Sequence, residues 1–495
     1  MIWLLAAACL VAAVPAGLRW LRVAQREHYL AGSVVRFAWR WWTVSPANIA
    51  LAVLATVGMI GSIWTIWSGF LVAVAQVGPL GLALRGRTSP LVWTQRMRRL
   101  ALVVGLMVGG LILVGASFAT PVLIVLGLFA SPLIVDLALA AMASVEEWLG
   151  SRWVRQATRK LEAIDPIVVA VTGSYGKTST KLYTAHLLAG GYRTIASPGS
   201  FNNRMGLARA VNEGLAPGTE VFVAEMGTYG PGEIAELCRW VTPRVSAIVS
   251  VGPVHLERFG RLETIVAAKS EILDRAEIGV ICVDHPLLAE LAVQRSGSME
   301  IIEVSTGDRG RVRVGAEIVV DGRALAPTPS RAFPSNLAVA IGIGLGLGMD
   351  PEQMTGRIPG LPEPEHRQSV IRSDSGLVII DDTFNSNPAG ARLGLQRLAE
   401  EGAGGKKAVV SPGMVELGHV QWEENREFAS AAAQVADHVV IVGRTNRAAL
   451  LEGSAGGSAS VTVVGSRDEA VDWVREHLGQ GDAVLYENDL PDHYP

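Results

Sequence analysis

Cysteine is scarce: Cys9, Cys238 and Cys282 are the three among 495 residues. Their spacing forms neither a C-x-x-C pair nor a zinc ligand set, which argues against a disulfide framework and a structural zinc site and fits a reducing compartment. Net charge is also small, −3 at pH 7. No domain is basic enough to bind nucleic acid by releasing counterions from phosphates. No repeat of fixed period is present. Charge is missing altogether from Ser45 to Leu84 and again from Leu100 to Val135.

What fills those stretches is apolar. Hydrophobic residues make up 49% of the chain, mean hydropathy is +0.33, and the excess lies before Glu146. Ile2 to Leu18 has no basic residue ahead of it and several arginines behind, the pattern of an anchor rather than a cleaved signal. Each uncharged stretch exceeds the ~20 residues of one crossing, so each reads as a hairpin of two short helices. Gly58, Gly61, Ser62 and Gly69 mark the turn or packing face of the first. Thr120-Pro121 marks the turn of the second, which continues past Asp136 to Ser144. Five crossings are expected in residues 1–150. Arg19, Arg22, Arg26, Arg36 and Arg40, then Arg85, Arg87, Arg96, Arg98 and Arg99, then Arg152, Arg155, Arg159 and Lys160 all fall on one side. The positive-inside rule makes that side the cytoplasm, and with it the domains that follow. Trp39, Trp41, Trp42, Trp64, Trp67 and Trp93 suit interfacial belts, or packing between helices. Asp136, an acid within a span, has either a function or a place near a helix end. A buried, soluble all-α domain is the other reading of this region.

The chain is organised around Asp165 to His186. Ile167 to Val171 is a β-branched run, Thr172-Gly173-Ser174-Tyr175-Gly176-Lys177-Thr178-Ser179 is a glycine-containing turn, and a helical pattern follows. Backbone N–H groups and the positive helix end of such a unit wrap a phosphate chain. Lys177 neutralises phosphates and Thr178 holds Mg²⁺ in that arrangement. Val171 stands where the generic pattern has a further glycine, so this is a shortened form. The plainer alternative is an ordinary glycine turn. Beyond it, Glu225 follows the strand-like Val221 to Ala224 and His255 follows the strand Val245 to Val251. Ends of strands are where ligands bind in α/β sheets, so Glu225 is a candidate Mg²⁺ ligand and His255 lies in the same zone. Lys269, on a helical segment, can point back to the same crevice. A surface or capping carboxylate, a structural histidine and a solvated lysine are the corresponding bland readings.

Gly173-Ser-Tyr-Gly-Lys-Thr-Ser-Thr-Lys181, Ser200-Phe-Asn-Asn-Arg-Met-Gly206, Glu225-Met-Gly, Gly232-Glu-Ile234, His255-Leu-Glu-Arg-Phe-Gly260 and Ala268-Lys-Ser-Glu-Ile272 together resemble the Mur ligases in order and spacing. The resemblance covers the chain from near Asp165 to its end and is greatest to the MurF branch, the UDP-N-acetylmuramoyl-tripeptide:D-alanyl-D-alanine ligases. It implies an ATP-dependent ligase that activates a carboxylate as an acyl phosphate and couples it to an amine. It implies that Gly173, Ser174, Gly176, Lys177, Thr178 and Ser179 hold ATP, and that two Mg²⁺ ions are bound, one by Thr178 with Glu225 and another by His255. Lys177, His255 and Lys269 are then the catalytic set, with Lys269 carried as a carbamate that ligates metal. Asn202 and Asn203 go to substrate, and Asn336 to adenine; without a ligand Asn336 is a plain helix N-cap.

Ile358-Pro359-Gly360-Leu361-Pro362-Glu363-Pro364 reads as a hinge. The resulting fold class is an α-helical membrane region over 1–150, a P-loop Mur ligase central domain over 160–361, and a Rossmann-like α/β C-terminal domain over 362–495. In the last, strand-like runs at 377–380, 407–410, 438–442, 460–464 and 483–486 alternate with helical segments. Asp381-Asp-Thr-Phe-Asn-Ser-Asn-Pro388 is similar to the MurF pattern, which implies Asp382 at the ATP ribose and Asn385 and Asn387 on the amine side, while Arg367 approaches the nucleotide. The ending Glu487-Asn-Asp-Leu-Pro-Asp-His-Tyr-Pro495 departs from the family's basic Lys-Gly-Ser-Arg type. Membrane spans stand where the family has a UDP-gripping domain, so the expected partners are membrane lipid, a UDP- or lipid-linked muropeptide carboxylate, and an amino acid or dipeptide amine. Two other readings are a folylpolyglutamate-synthase-like ligase, which the Asp381 to Pro388 pattern disfavours, and a transport or signalling ATPase. The latter calls for ABC-type signature residues that the sequence lacks.

Overall fold

The computed structural model describes residues 1–84, 86, 90–329, 332–362, 368–384, 386–402, 404–490 and 493–494. Two compact units form: Met1–Leu149 with Leu490–Pro495, and Gly150–Asp489.

The first unit holds α1 (Ile2–Arg26), α2 (Ser33–Thr43), α3 (Pro46–Gly61), α4 (Ile66–Ala75), α5 (Gln95–Ser117), α6 (Pro121–Phe129) and the start of α7 (Ser131–Ile164). Among the described residues α1 and α5 are long and apolar enough to cross a membrane. The count reaches four if α2 with α3, bent by 114°, and α6 with α7, bent by 71°, are each one broken span. The five expected crossings are not reached, because α3, α4 and α6 have 16, 10 and 9 residues, short of the ~20 needed alone. Apolar side chains cover the outside of this unit as well as its interior: Val11 is 74% exposed and Leu106 66%. Close packing explains the glycines. A Cβ on Gly58 or Gly61 would lie 2.8 Å from atoms of Ser68, so both let α3 and α4 approach. Asp136 is buried and accepts the backbone N–H groups of Val34 and Val35 at 3.3 and 2.8 Å. It therefore satisfies orphan donors at the start of α2, a structural duty that settles its place in the sequence.

The second unit contains two sheets. The first has the order β2-β3-β1-β4-β5-β6-β7-β8-β9, with β1 at Ile167–Thr172, β2 at Thr194–Ala196, β3 at Val221–Glu225, β4 at Val245–Ile248, β5 at Ile278–Cys282, β6 at Glu300–Ser305, β7 at Val312–Val314, β8 at Glu317–Val320 and β9 at Arg323–Pro327. Strands β2 to β7 pair in parallel; β8 and β9 add an antiparallel hairpin. Val168 and Ala170 enter one apolar cluster and Val169 and Val171 the other, which is why β1 is a continuous β-branched run: both faces of a parallel sheet are covered. After β1 the chain turns into α8 (Lys177–Leu188).

The second sheet has the order β10-β11-β15-β12-β13-β14, with β10 at Ser369–Arg372, β11 at Val378–Asp382, β12 at Lys407–Ser411, β13 at His438–Val442, β14 at Ser460–Val464 and β15 at Ala483–Glu487. All neighbours are parallel except β10 on β11. The last strand in sequence thus lies in the middle of the sheet, beside the strand that carries Asp382.

Candidate active site

The turn between β1 and α8 is fixed to the loop after β4. The Ser174 N–H donates to Ser250 O at 3.0 Å, the Tyr175 N–H to Ser250 Oγ at 3.0 Å, and the Gly252 N–H to Ser174 Oγ at 3.0 Å. Gly176 has φ +79°, and a Cβ there would meet Asn336 Oδ1 at 2.3 Å. Only glycine suits that left-handed position. Asn336 is buried in the first turn of the helix Pro334–Gly346, whose N-cap is Phe333. The N-cap alternative for Asn336 is thereby corrected: its side chain faces the phosphate-type loop instead. Lys177 Nζ rests on the loop carbonyls of Gly173 and Ser174 at 2.8 and 3.3 Å.

Below this loop lies a buried polar cluster. Glu225, at the end of β3, accepts at Oε2 from Thr178 Oγ1 at 3.0 Å and pairs there with Lys181 Nζ at 3.1 Å; its Oε1 accepts from Asn202 Nδ2 at 3.0 Å. Glu225 and Lys181 side chains are each 1% exposed. A buried ion pair persists only with such full hydrogen bonding, since each ion has lost its water. Lys181 also donates to Gly199 O. Sequence reading quoted Lys181 within the motif but gave it no role; its position four residues after Lys177, on the same helix face, was the available signal.

His255 and Lys269 are placed differently. His255 has φ +63° and pairs through Nδ1 with Glu416, while its ring meets Tyr229 edge-on at 4.9 Å. Glu416 comes from the second sheet's lobe and is itself at φ +65°. Two non-glycine residues in the left-handed region mark stored backbone strain, which clusters at functional sites. Glu416 is not among the residues that the sequence singles out, because a partner 161 residues away has no signature in local sequence. Lys269 is buried, and burial together with the Lys177 charge pulls its amine well below the usual lysine range. Among the described residues its amine has no hydrogen-bond acceptor.

Asn203 and Asn387 are helix N-caps, accepting the N–H groups of Gly206 at 2.9 Å and Gly390 at 3.0 Å, so their side-chain oxygens are committed to the backbone. Asp382 is opposite Glu487 in the β11–β15 register. Burial, then the Asp382 charge, push the Glu487 carboxyl well above the usual carboxylate range, and Ser386 donates to it. Arg367 and Asn385 lie outside the described residues. Ser179 is buried in α8.

Among the described residues no three His, Cys, Asp or Glu side chains converge as a metal site. The donors nonetheless fit Mg²⁺, a hard cation that takes oxygen: the Thr178 hydroxyl and the Glu225 carboxylate already touch. A histidine held by a carboxylate through one ring nitrogen is oriented to offer the other.

The family profile described as "Mur ligase middle domain" matches residues 171–323, and that described as "Mur ligase, glutamate ligase domain" matches 366–486. Over 343 residues the chain is 29% identical to the UDP-N-acetylmuramoyl-tripeptide–D-alanyl-D-alanine ligase of Bacillus subtilis (strain 168), covering 66% of this chain and 74% of that one. A crystal structure of MurF from Acinetobacter baumannii superposes with TM-score 0.60 at 25% identity, over 69% of this chain and 78% of that one. MurF ligase from Thermotoga maritima in complex with ADP gives 0.59 at 24% identity, over 69% and 80%. With both its ligase domains matched, over more than half of its length, this chain belongs to the Mur ligase family and is an ATP-dependent, ADP-forming ligase.

Proposed function

We propose that this chain is a MurF-like ligase of peptidoglycan precursor synthesis, held at the membrane by its helical unit, which joins the carboxylate of a UDP- or lipid-linked muropeptide to an amino acid or to a dipeptide such as D-alanyl-D-alanine. The observation that carries the ligase reading is the cluster of Thr178, Lys181, Asn202 and Glu225 beneath the loop Gly173–Ser179. Loop N–H groups and the start of α8 receive the triphosphate. Lys177, now on loop carbonyls, moves to the phosphate oxygens when ATP binds. Thr178, Glu225 and His255 would hold Mg²⁺, which supplies charge neutralisation for phosphoryl transfer. Lys269, a buried amine that burial and the Lys177 charge hold towards its neutral form, is chemically suited to take up CO₂, because carbamate formation needs the neutral amine. Asp382, Asn336 and Arg367 are assigned to the nucleotide, and Asn202, Asn203, Asn385 and Asn387 to the substrates; for Asn203 and Asn387 that service comes on top of capping. The carboxylate attacks the γ-phosphorus and releases ADP. The amine then attacks the acyl phosphate and phosphate leaves.

The exposed apolar surface of α1 and α5 supports the membrane placement, since soluble bundles rarely expose so large an apolar area. The test gives the purified full chain ATP, D-alanyl-D-alanine, and either soluble UDP-muropeptide or its lipid-linked counterpart, with products read by mass spectrometry. ADP should form only when both carboxylate and amine are present. Equal turnover of the two carboxylates ends the lipid-linked version, and ATP hydrolysis independent of both ends the ligase reading in favour of a motor.

A further inference from the structure

The unusual ending of the chain has a place in the fold. Asn488 donates its backbone N–H to Asp382 O at 3.0 Å and its side-chain amide to Gly413 O at 2.7 Å, and Asp489 pairs with Arg467. From Leu490 onward the chain belongs to the helical unit. There His493 is 2% exposed. Its Nε2 bonds Glu27 Oε1 at 3.0 Å and its carbonyl accepts from Trp41 Nε1 at 2.8 Å. Its ring lies 4.8 Å from that of Phe37, which meets Tyr494 edge-on at 5.1 Å. The Arg40 guanidinium covers Phe37 at 5.2 Å and Tyr494 at 6.0 Å. Glu27 is buried and also pairs with Arg36 at 3.4 Å.

His493 and Tyr494 bring an imidazole, an aromatic ring and a main-chain carbonyl against Glu27, Phe37 with Arg40, and Trp41, while His493 Nδ1 is buried without a hydrogen-bond partner among the described residues. Burying imidazole and carboxylate is unfavourable unless they pair, so the Glu27–His493 contact has the selectivity of a recognition site rather than of greasy contact. We propose that the end of α1 with its cap Glu27, together with Phe37, Arg40 and Trp41 of α2, forms a peptide-binding seat whose ligand is this chain's own His493-Tyr494. The stretch that departs from the family's basic pattern thus carries the ligand of this seat.

The test uses the chain stopped after Asp489 and a labelled peptide of sequence Asn488 to Pro495, with anisotropy as readout. The truncated chain should bind the peptide saturably. The intact chain should bind it at least about tenfold more weakly because its seat is filled, and a peptide carrying His493→Ala and Tyr494→Ala should lose about tenfold or more, as loss of central aromatic contacts does. Should truncation prevent folding, hydrogen exchange decides: in the intact chain with both substitutions the amides of α2 should exchange faster than in the unsubstituted chain. Equal binding of the two peptides, no binding by a folded truncated chain, or unchanged exchange in α2 overturns the proposal.

Discussion

Glu225 and Lys181 show how much a single buried charge can weigh. Removing the carboxylate in Glu225→Ala leaves the Lys181 ammonium, 1% exposed, without its counter-ion, and such losses cost about 3–5 kcal/mol. Thermal unfolding of Glu225→Ala should show that destabilisation, and the double variant with Lys181→Met should recover much of it while remaining inactive. Lys269 makes the opposite point. Its folded-state pKa lies well below the ordinary lysine value, so the unfolded chain binds the proton more readily. The native state therefore loses stability as pH falls from near 10.4 towards the folded pKa, and carbamate formation relieves that penalty by removing the cation. Lys269→Ala should lower turnover at least about 100-fold, and added short-chain carboxylate should restore part of it; full activity in the variant would reject the role. For His493 burial is the leading cause of a lowered pKa, opposed by Glu27 and reinforced by Arg26 and Arg22, with Arg36 and Arg40 of α2 also close to its partners. The free tail titrates near 6.5 and the docked one lower. Docking is thus fully present above about pH 6.5 and weakens by up to about tenfold per pH unit below it, which peptide binding to the truncated chain at pH 7.5 and 5.5 would reveal.

At the scale of elements, the loop between β1 and α8 is over-determined. Its glycine at φ +79° has no room for a methyl group beside Asn336. Gly176→Ala pays about 1–2 kcal/mol for the left-handed conformation and displaces Asn336 besides, so ATP affinity should fall by at least about tenfold in a nucleotide-binding titration, with the sheet intact by circular dichroism. The runs at 438–442 and 460–464 coincide with β13 and β14, because β-branched residues between breakers leave little choice. The hairpin β8–β9 and the three-residue strands β2 and β7 escaped notice: segments so short carry no periodicity, and their pairing comes from neighbours. The number of crossings in the first unit is hard to read from sequence for a related reason. Hydropathy reports how apolar a stretch is, whereas Gly58, Gly61 and the proline-started α3 and α6 decide where it breaks.

For the whole catalytic unit, the link of His255 to Glu416 joins the lobes built on the two sheets. Glu416→Ala frees His255 from its orienting carboxylate, so we expect a raised KM for ATP and a kcat reduced about 10–100-fold, measured by ADP release; unchanged constants would show the contact to be incidental. Sequence alone determined the family, the strand-loop-helix unit around Lys177 and the apolar character of the first third, since each is written in contiguous residues whose local chemistry suffices. Tertiary structure decided which groups share a charge or a pocket: Lys181 with Glu225, His255 with Glu416, Asp136 with the start of α2, and the tail with Glu27 and Trp41. These pairs join positions from 44 to 466 residues apart, and only folding, by burying polar groups that must then find partners, brings them together.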